Sequence, residues 1–347
     1  MQIAINISPL TTASQFRGVG LYTKKLLESL NSCGKVKIAA FEGKKIPSSA
    51  DLIHYPYFSP FFLSLPADLK KDFVVTIHDL IPLVFPKAYP PGIKGKIKFF
   101  IQKRRIKKAK MIITDSESSK KDINKYLGVC LDKIRVVYLA AANNVSRIED
   151  KDSLKKIAEK FNLPSQFALY VGDVNFNKNL PNLLKACLAV EIPLVIVGRQ
   201  AVQKDFDITN VENSPLIELN NLIEKEGGAI KLGYVEENDL SGLYSLAAVY
   251  CQPSYYEGFG LQILEAMSCG CPVLASNVSS LPEVAGEAGL LINPRCVESI
   301  ADGINKIIKN ESVKNELVKR GYVQAKKFSW DKTARETIKV YEEILVK

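Results

Sequence analysis

The sequence predicts an α/β protein with two domains, each built around a parallel sheet that helices cover. At 347 residues the chain is too long for one ordinary open-sheet domain and suits two domains of about 150–180 residues. Short apolar runs that end in turn residues alternate with helical patterns, as in parallel α/β sheets. A third observation is the stretch Tyr255–Pro272, which has the pattern of a strand end, a glycine loop and a helix.

The composition is that of a soluble globular protein. Hydrophobic residues make up 47% of the chain and charged residues 24%, and no fixed-period repeat is visible. The first ten residues lack the basic region and apolar run of a signal peptide, and we expect no transmembrane span. Seven scattered cysteines and two histidines lack the spacing of a zinc site, so we expect no metal and a reducing, cytoplasmic compartment.

The first domain, residues 1–163, opens with the buried strand QIAINI, followed by a glycine loop and a helix. Gly18 and Gly20 permit a close backbone approach at the helix start, or a simple tight turn. The third glycine of a dinucleotide fingerprint is missing, which argues against a dehydrogenase. His78 follows the strand FVVTI, and active-site groups of open α/β sheets collect at the carboxyl ends of strands. We therefore expect a site role for His78 rather than a structural one.

The second domain, residues 164–329, begins where Pro164 ends a polar segment. The strand FALYV leads through a loop to a helix with Asn179 as the expected N-cap and Pro181 in its first turn. Lys178 stands at the start of that helix, where its charge and the helix dipole would both stabilise a diphosphate.

Two carboxylates, Glu257 and Glu265, lie eight residues apart across the glycine loop and the first turns of the next helix. Free backbone N–H groups at this helix start favour a phosphate oxygen. Because carboxylates would repel that phosphate, the two glutamates are better explained as acceptors for sugar hydroxyls. A nucleotide-sugar satisfies both demands. The residues that would supply the N–H groups are Gly258, Phe259, Gly260 and Leu261.

The run EGFGLQILEAMSCGCPVLAS, followed by SLPEVAGEAGLLINP, resembles the E-x7-E segment of the family-4 (group 1) retaining glycosyltransferases, and the likeness extends through most of the chain. The resemblance implies the GT-B fold, in which two Rossmann-like domains face each other across a cleft. It also implies a metal-independent transfer of a hexose from a nucleotide-diphosphate sugar to a glycan or lipid-linked acceptor, as in polysaccharide biosynthesis. HDLIPLVFP and RGVGLYT are more similar to mannosyl-transferring members, which favours GDP-mannose slightly over a UDP-sugar.

The resemblance also assigns roles to individual residues. Glu257 would contact the transferred sugar, Glu265 would bind the ribose, and His78 is similar to a strand-end histidine of the family. Lys178 matches a family lysine, but Asp173 stands where an arginine is usual, so another cation must balance the leaving diphosphate. Two arginines are available for this, Arg17 and Arg199.

The remaining assignments implied by the family concern the rest of the donor site. Gly18 and Gly20 would lie under the donor diphosphate and face the acceptor. Tyr234 and Val235 would hold the base through backbone groups. The last helix, 330–347, would cross back to the first domain, with packing on its own domain as the alternative.

The net charge of +10 is concentrated between Leu80 and Thr114, which contain ten Lys/Arg residues and no acid. Within Gly92–Lys110, an apolar stripe accompanies nine of these basic residues, a composition typical of an interfacial helix on anionic lipid. We expect this segment to dock on an anionic membrane surface, on its inner face, near a lipid-linked acceptor. The alternative is a helix packed on the first sheet with a solvated basic face. The stripe consists of Ile93, Ile97, Phe100 and Ile101.

Other functions explain fewer of these features. A retaining glycoside hydrolase also uses two carboxyls, about 5 Å apart, but the glycine loop and Lys178 favour a diphosphate donor. A sugar-nucleotide epimerase of the same fold remains an enzyme alternative. A non-catalytic membrane-binding protein would explain the basic segment but not the two glutamates. Nucleic acid is not expected, because the stacking aromatics of the segment are confined to Phe99 and Phe100.

Overall fold

The computed structural model describes residues 1–12, 18–43, 45–67, 71–142 and 144–345. The chain divides into two compact units, each with its own sheet and core. Unit 1 consists of Met1–Ala140 together with Phe328–Lys347, and unit 2 of Ala141–Lys327. The prediction of two α/β sheets is confirmed.

Unit 1 contains a six-stranded sheet in which every neighbouring pair is parallel. Its strands are β1 (Gln2–Asn6), β2 (Lys37–Phe41), β3 (Leu52–Tyr55), β4 (Phe73–Thr76), β5 (Met111–Thr114) and β6 (Ile134–Val136). They lie in the order β2-β1-β3-β4-β5-β6. Every residue of β3, β4 and β5 is buried, which is why these strands have near-continuous hydrophobic sequences.

The helices of unit 1 include the C-terminal one, which packs against the second helix. They are α1 (Ser8–Thr11), α2 (Gly18–Cys33), α3 (Ile81–Val84), α4 (Gly92–Ile106), α5 (Glu117–Asp122, continued by a π-helical turn Ile123–Leu127) and, after unit 2, α14 (Trp330–Leu345). Ser116 caps the start of α5, because the Ser119 N–H donates to Ser116 Oγ at 3.0 Å.

Unit 2 contains a second parallel sheet of six strands. They are β7 (Ala168–Val171), β8 (Leu194–Val197), β9 (Ala229–Gly233), β10 (Val249–Gln252), β11 (Val273–Ser276) and β12 (Gly289–Ile292). Their order is β12-β11-β10-β7-β8-β9. The strand order therefore reverses between β7 and β10, and such a switch point opens a crevice at the carboxyl ends of the strands.

The helices of unit 2 alternate with these strands. They are α6 (Lys151–Lys160), α7 (Leu180–Ala189), α8 (Ser214–Glu226), α9 (Glu237–Leu246), α10 (Leu261–Ser268), α11 (Leu281–Ala285), α12 (Val297–Lys309) and α13 (Glu311–Ala325). None of the helices in the described ranges combines the length and apolar character needed to cross a membrane.

The boundary between the units differs from the expected one at residue 163. Residues 141–163 belong to unit 2, because α6 packs against α9. The contact is close: a Cβ on Gly242 of α9 would lie 2.3 Å from Ile157 Cδ1. Ile157 is the one buried residue of α6, which explains why this polar segment suggested a domain boundary.

Candidate active site

The loops that follow β7 and β10 carry the charged residues expected in the donor site. These two strands flank the switch point of unit 2. After β7 the chain forms a 3-10 turn, Phe176–Lys178, that ends at Asn179 in the left-handed conformation. Asn179 stands at the N-cap position of α7, as expected, but its side chain makes no capping hydrogen bond. It donates instead to the carbonyls of Pro253 and Pro294. The β7 loop is thereby fastened to the β10 loop.

Lys178 and Glu257 meet as a direct ion pair. Lys178 Nζ donates to both carboxylate oxygens of Glu257 at 2.8 Å. Glu257 also accepts from Ser254 Oγ at 2.6 Å and from Gln252 Nε2 at 3.0 Å. The Glu257 side chain is 8% exposed and that of Lys178 is 20% exposed. The carboxylate is thus fixed from several sides, whereas the ammonium keeps an open side.

Two serines hold the backbone around Glu257. The Glu257 N–H donates to Ser279 Oγ at 3.0 Å, and Ser280 Oγ bonds the carbonyls of Glu257 and Phe259. Ser279 adopts a positive φ of 55°, so its own backbone bends sharply to reach the loop. These serines were not predicted; their signal was a polar pair in the loop after β11.

The start of α10 depends on Gly260. This residue has φ 108°, a backbone conformation that other residues rarely adopt. A Cβ there would also lie 2.8 Å from Leu281 Cδ2, so both the backbone and the packing favour glycine. No side chain caps the helix at this position. Leu261 is then its first residue, as predicted, and Phe259 is buried below the loop. The helix dipole at this start favours an anion.

Glu265 lies one turn into α10 and is almost fully buried. Its Oε2 accepts a hydrogen bond from the Tyr244 hydroxyl of α9 at 3.0 Å. Burial raises the pKa of Glu265, opposed by the Tyr244 hydrogen bond, while the charge of Glu237 raises it further. Tyr244 was missed because a buried tyrosine in a helix has no distinguishing sequence pattern.

The strand ends of β8 and β9 lie on the other side of β7. Tyr234 is 63% exposed, Val235 is buried, and the Arg199 guanidinium stacks 4.6 Å from the centroid of the Tyr234 ring. Asp173 is exposed, and its carbonyl accepts from Tyr170. Arg17 lies outside the described residues, so Arg199 is the candidate cation in unit 2.

A glycine not singled out in the sequence shapes this edge of the sheet. A Cβ on Gly198 would lie 2.1 Å from the carbonyl oxygen of Gly172, so the two backbones meet directly. Gly198 N–H also donates to the carbonyl of Gly233 at 2.7 Å. Three glycines thus end β7, β8 and β9 side by side and leave the strand ends open.

His78 follows β4 of unit 1, as predicted, and is paired with Asp115 after β5. The distance from His78 Nδ1 to Asp115 Oδ2 is 2.6 Å, and Nε2 lies 3.2 Å from the Pro56 carbonyl oxygen. Burial alone would lower the pKa of His78, but the charge and hydrogen bond of Asp115 outweigh burial and raise it. Gly18 is exposed at the first residue of α2, and Gly20, two residues on, is buried.

Behind His78 runs a buried chain of polar side chains. Tyr22 packs in a T-shape on the His78 ring at 4.6 Å, and its hydroxyl lies 3.0 Å from Thr76 Oγ1. Thr76 Oγ1 is also 2.8 Å from His54 Nε2, and His54 Nδ1 is 2.7 Å from the Tyr341 hydroxyl of α14. Burial lowers the pKa of His54 to about 3, so this second histidine is neutral.

Two family models match the chain. The model described as "Glycosyl transferases group 1" matches residues 150–324, and "Glycosyltransferase Family 4" matches residues 26–140. Their ranges lie in units 2 and 1, respectively.

Curated relatives agree with these models. The O-antigen chain mannosyltransferase B of Escherichia coli is 35% identical over 301 residues, covering 84% of this chain and 75% of that protein. The serotype-specific mannosyltransferase WbdA of Escherichia coli is 29% identical over 82% of this chain. The match spans 35% of the length of WbdA.

Solved structures show the same fold. A sucrose-phosphate synthase from Thermosynechococcus elongatus superposes with a TM-score of 0.79 at 20% identity, covering 100% of this chain and 99% of that one. HepE of Anabaena, solved in complex with UDP-glucose, has a TM-score of 0.74 at 16% identity, covering 99% and 100%. None of the comparisons described here supports an epimerase or a non-catalytic protein. With both models matched and a relative of this identity, the chain belongs to the family-4, group 1 glycosyltransferases of the GT-B fold.

Proposed function

We propose that this glycosyltransferase moves a mannosyl group, with retention of configuration, from GDP-mannose to a glycan or lipid-linked acceptor. The observation that carries the proposal is the Lys178–Glu257 pair beside the uncapped start of α10. The choice of mannose is supported by the 35% identity to a mannosyltransferase. A UDP-sugar is the second candidate donor, supported by the UDP-glucose bound in the HepE relative of the same fold.

The pair fits the charge changes of such a transfer. Breaking the bond between the sugar and the diphosphate puts negative charge on the diphosphate and positive charge on the sugar ring. In our proposal Lys178 and the N–H groups at the start of α10 stabilise the former, and Glu257 contacts the latter. The nucleotide-sugar is then a substrate, and no metal or resident cofactor is needed. We expect EDTA to leave the rate of transfer unchanged.

Glu265 would bind the ribose diol of the donor. Its carboxyl is already oriented by Tyr244, so little side-chain freedom is lost when hydroxyls bind. The backbone groups of Tyr234 and Val235 would hold the base, with Arg199 stacked nearby on the Tyr234 ring. A site formed by backbone groups recognises the base weakly, which is why the donor must be tested directly.

Isothermal titration with GDP-mannose, UDP-glucose and the free nucleotides tests the site. We expect Glu265→Ala to weaken donor binding at least tenfold, because a buried acceptor for two hydroxyls is lost. Glu224→Ala, an exposed glutamate on α8 in the same unit, is the matched control and should bind as wild type does. If Glu265→Ala and wild type bind the donor equally well, Glu265 does not bind the ribose. If the protein clearly prefers UDP-glucose, the donor is a UDP-sugar and not GDP-mannose.

We also propose that the acceptor is reached at an anionic membrane surface, on its cytoplasmic face, through residues 92–110. Helix α4 buries Gly95, Gln102 and Ile106 on one side. On the other side Ile93 is 80% exposed and Phe100 is 56% exposed. A helix whose outer face is only solvated would carry polar residues there, so these exposed apolar side chains favour a docking surface.

The loop before β4 extends the apolar surface. Phe62 is 66% exposed, and Lys98 Nζ lies 5.3 Å from the centre of its ring. Phe61 of the same loop packs on Phe99 of α4 with ring centres 6.2 Å apart, which fixes the loop beside the helix. Apolar side chains ringed by lysines suit the boundary between acyl chains and anionic head groups.

Cosedimentation with vesicles tests this surface, since each basic residue near anionic lipid contributes about 1 kcal/mol. Four exposed lysines of the surface, changed to Glu, should abolish binding to phosphatidylglycerol vesicles at low salt; they are Lys94, Lys96, Lys107 and Lys108. The control changes four exposed lysines of unit 2 to Glu, giving the same net charge; they are Lys204, Lys225, Lys319 and Lys326. A wild-type protein that ignores anionic vesicles, or equal losses in both variants, would contradict the proposal.

A further inference from the structure

His78 lies between two groups that both accept hydrogen bonds. Asp115 Oδ2 is 2.6 Å from Nδ1, and the Pro56 carbonyl oxygen is 3.2 Å from Nε2. A neutral imidazole has one donor and one acceptor nitrogen, whereas an imidazolium has two donors. If Asp115 is ionised, only the imidazolium satisfies both contacts.

A neutral pair, with the proton on Asp115 and Nδ1 as acceptor, would also satisfy the geometry. Imidazole is the stronger base by about 2.6 pKa units in water, which places the proton on His78. Asp79, the next residue, adds a second negative charge that raises the pKa of His78. Burial raises the pKa of Asp115, and its contact with His78 opposes that shift.

The other groups packed on the His78 ring do not supply a competing charge. Tyr22 from α2 covers the ring and is fully buried, and burial raises the pKa of its hydroxyl. His54 on β3, which Thr76 connects to Tyr22, is neutral in the folded protein. Ser119 Oγ donates to the His78 carbonyl at 2.9 Å and fixes the backbone. The ring is therefore held in one orientation, with its side chain 14% exposed.

We propose that Asp115 is a positioning residue which, with the Pro56 carbonyl, keeps both ring nitrogens of His78 protonated. His78 then offers its substrate a fixed positive charge instead of a base, while its Nε2–H donates to the Pro56 carbonyl. This inference rests on the proposed function, because a transfer that releases a diphosphate gains from an added positive charge.

Nitrogen NMR of protein labelled with 15N-histidine tests the protonation without any assay of transfer. The chain has two histidines, so each is the internal control of the other. At pH 7.5 we expect one ring with two protonated nitrogens, His78, and one with a single protonated nitrogen, His54. His78→Gln assigns the signals. A His78 ring with a lone pair on Nε2, or one that accepts at Nδ1 from a protonated Asp115, would overturn the proposal.

Asp115→Asn should lower the pH at which His78 titrates by at least one unit, and the alkaline limb of kcat/KM with GDP-mannose should shift equally. Asp132→Asn, an exposed carboxylate of the same unit, should change neither. If the alkaline limb of kcat/KM does not shift although the titration of His78 does, the positive charge of His78 does not contribute to transfer. If no nucleotide-sugar supports transfer while the NMR result holds, the proposed function fails and the imidazolium stands. Should Asp115→Asn not fold, the wild-type spectrum alone decides the protonation.

Discussion

The His78–Asp115 pair of unit 1 and the Lys178–Glu257 pair of unit 2 each join a cation to a buried carboxylate at the end of a parallel sheet, but the carboxylates are held differently. Glu257 accepts from Lys178 and from two neutral side chains. Asp115 accepts at Oδ2, and its buried Oδ1 has no hydrogen-bond partner among the described residues. A carboxylate with several donors tolerates the loss of one, so Lys178 can act on a ligand while Glu257 stays fixed; Asp115 depends on His78.

The largest expected effect is on stability in unit 1. His78→Ala leaves the Asp115 carboxylate buried without its partner, which should lower the free energy of unfolding by about 3–5 kcal/mol. Lys178→Ala leaves Glu257 with two donors and should cost about 1.5 kcal/mol. Urea denaturation of both variants measures the difference. The double variant His78→Ala/Asp115→Ala should recover part of the loss, and equal costs for the two single variants would break the comparison.

The next effect is on turnover in unit 2. Lys178→Ala should lower kcat about 10²–10³-fold, since in our proposal this charge stabilises the leaving diphosphate. The control is Lys185→Ala, which removes an exposed lysine of α7 that pairs with Glu218 at 2.9 Å. Initial rates at saturating donor check the result. A higher KM with an unchanged kcat would mean that Lys178 stabilises the bound donor and the transition state equally.

The two histidines of unit 1 should give stability opposite dependences on pH. The folded pKa of His54 is lowered to about 3 by burial, so the unfolded chain binds this proton first and stability falls as pH drops from 6.5 towards 3. The pKa of His78 is raised, so its contribution is present at low pH and is lost as pH rises through the folded value. Each slope is at most about 1.4 kcal/mol per pH unit. Denaturation of wild type and His54→Gln across pH 4–8 separates them, and an unchanged acid limb in the variant would contradict the assignment.

The smallest effect sharpens the picture of Glu257. Ser254→Ala removes one neutral donor at 2.6 Å while Lys178 and Gln252 remain. We expect a loss of about 1 kcal/mol in the free energy of unfolding and a change in kcat of less than tenfold. If Ser254→Ala lowered the free energy of unfolding as much as His78→Ala does, the remaining donors, Lys178 and Gln252, would not be enough to stabilise the Glu257 carboxylate.

The sequence predicts the fold well because both sheets consist of apolar strands whose ends are marked by glycine or polar residues. The same rule locates His78 just beyond a strand end, whereas Lys178 and Glu257 are located by the helix starts that follow the loops after β7 and β10. Asp115 follows a strand end too, but its pairing with His78 depends on strand register. Val75 lies opposite Ile112 and Thr76 opposite Ile113, so continuing this register brings His78 beside Asp115. A single sequence does not encode that register visibly.

Other misses have the same origin. Tyr244 and Gln252 became recognisable only when packing brought them to the two glutamates. The boundary between the units was misjudged because α6 attaches through one buried side chain, Ile157, which composition cannot distinguish from a solvated linker. Local sequence therefore predicts where strands end, whereas tertiary contacts decide which residues meet there.

The last helix affects the order in which the chain can fold as it leaves the ribosome. Unit 2 is one continuous segment, but unit 1 includes α14, which is synthesised after all of unit 2. Until then α2 lacks the helix that packs on it, and His54 lacks the Tyr341 hydroxyl at Nδ1. The sheet that carries His78 therefore lacks part of its packing until α14 has been made.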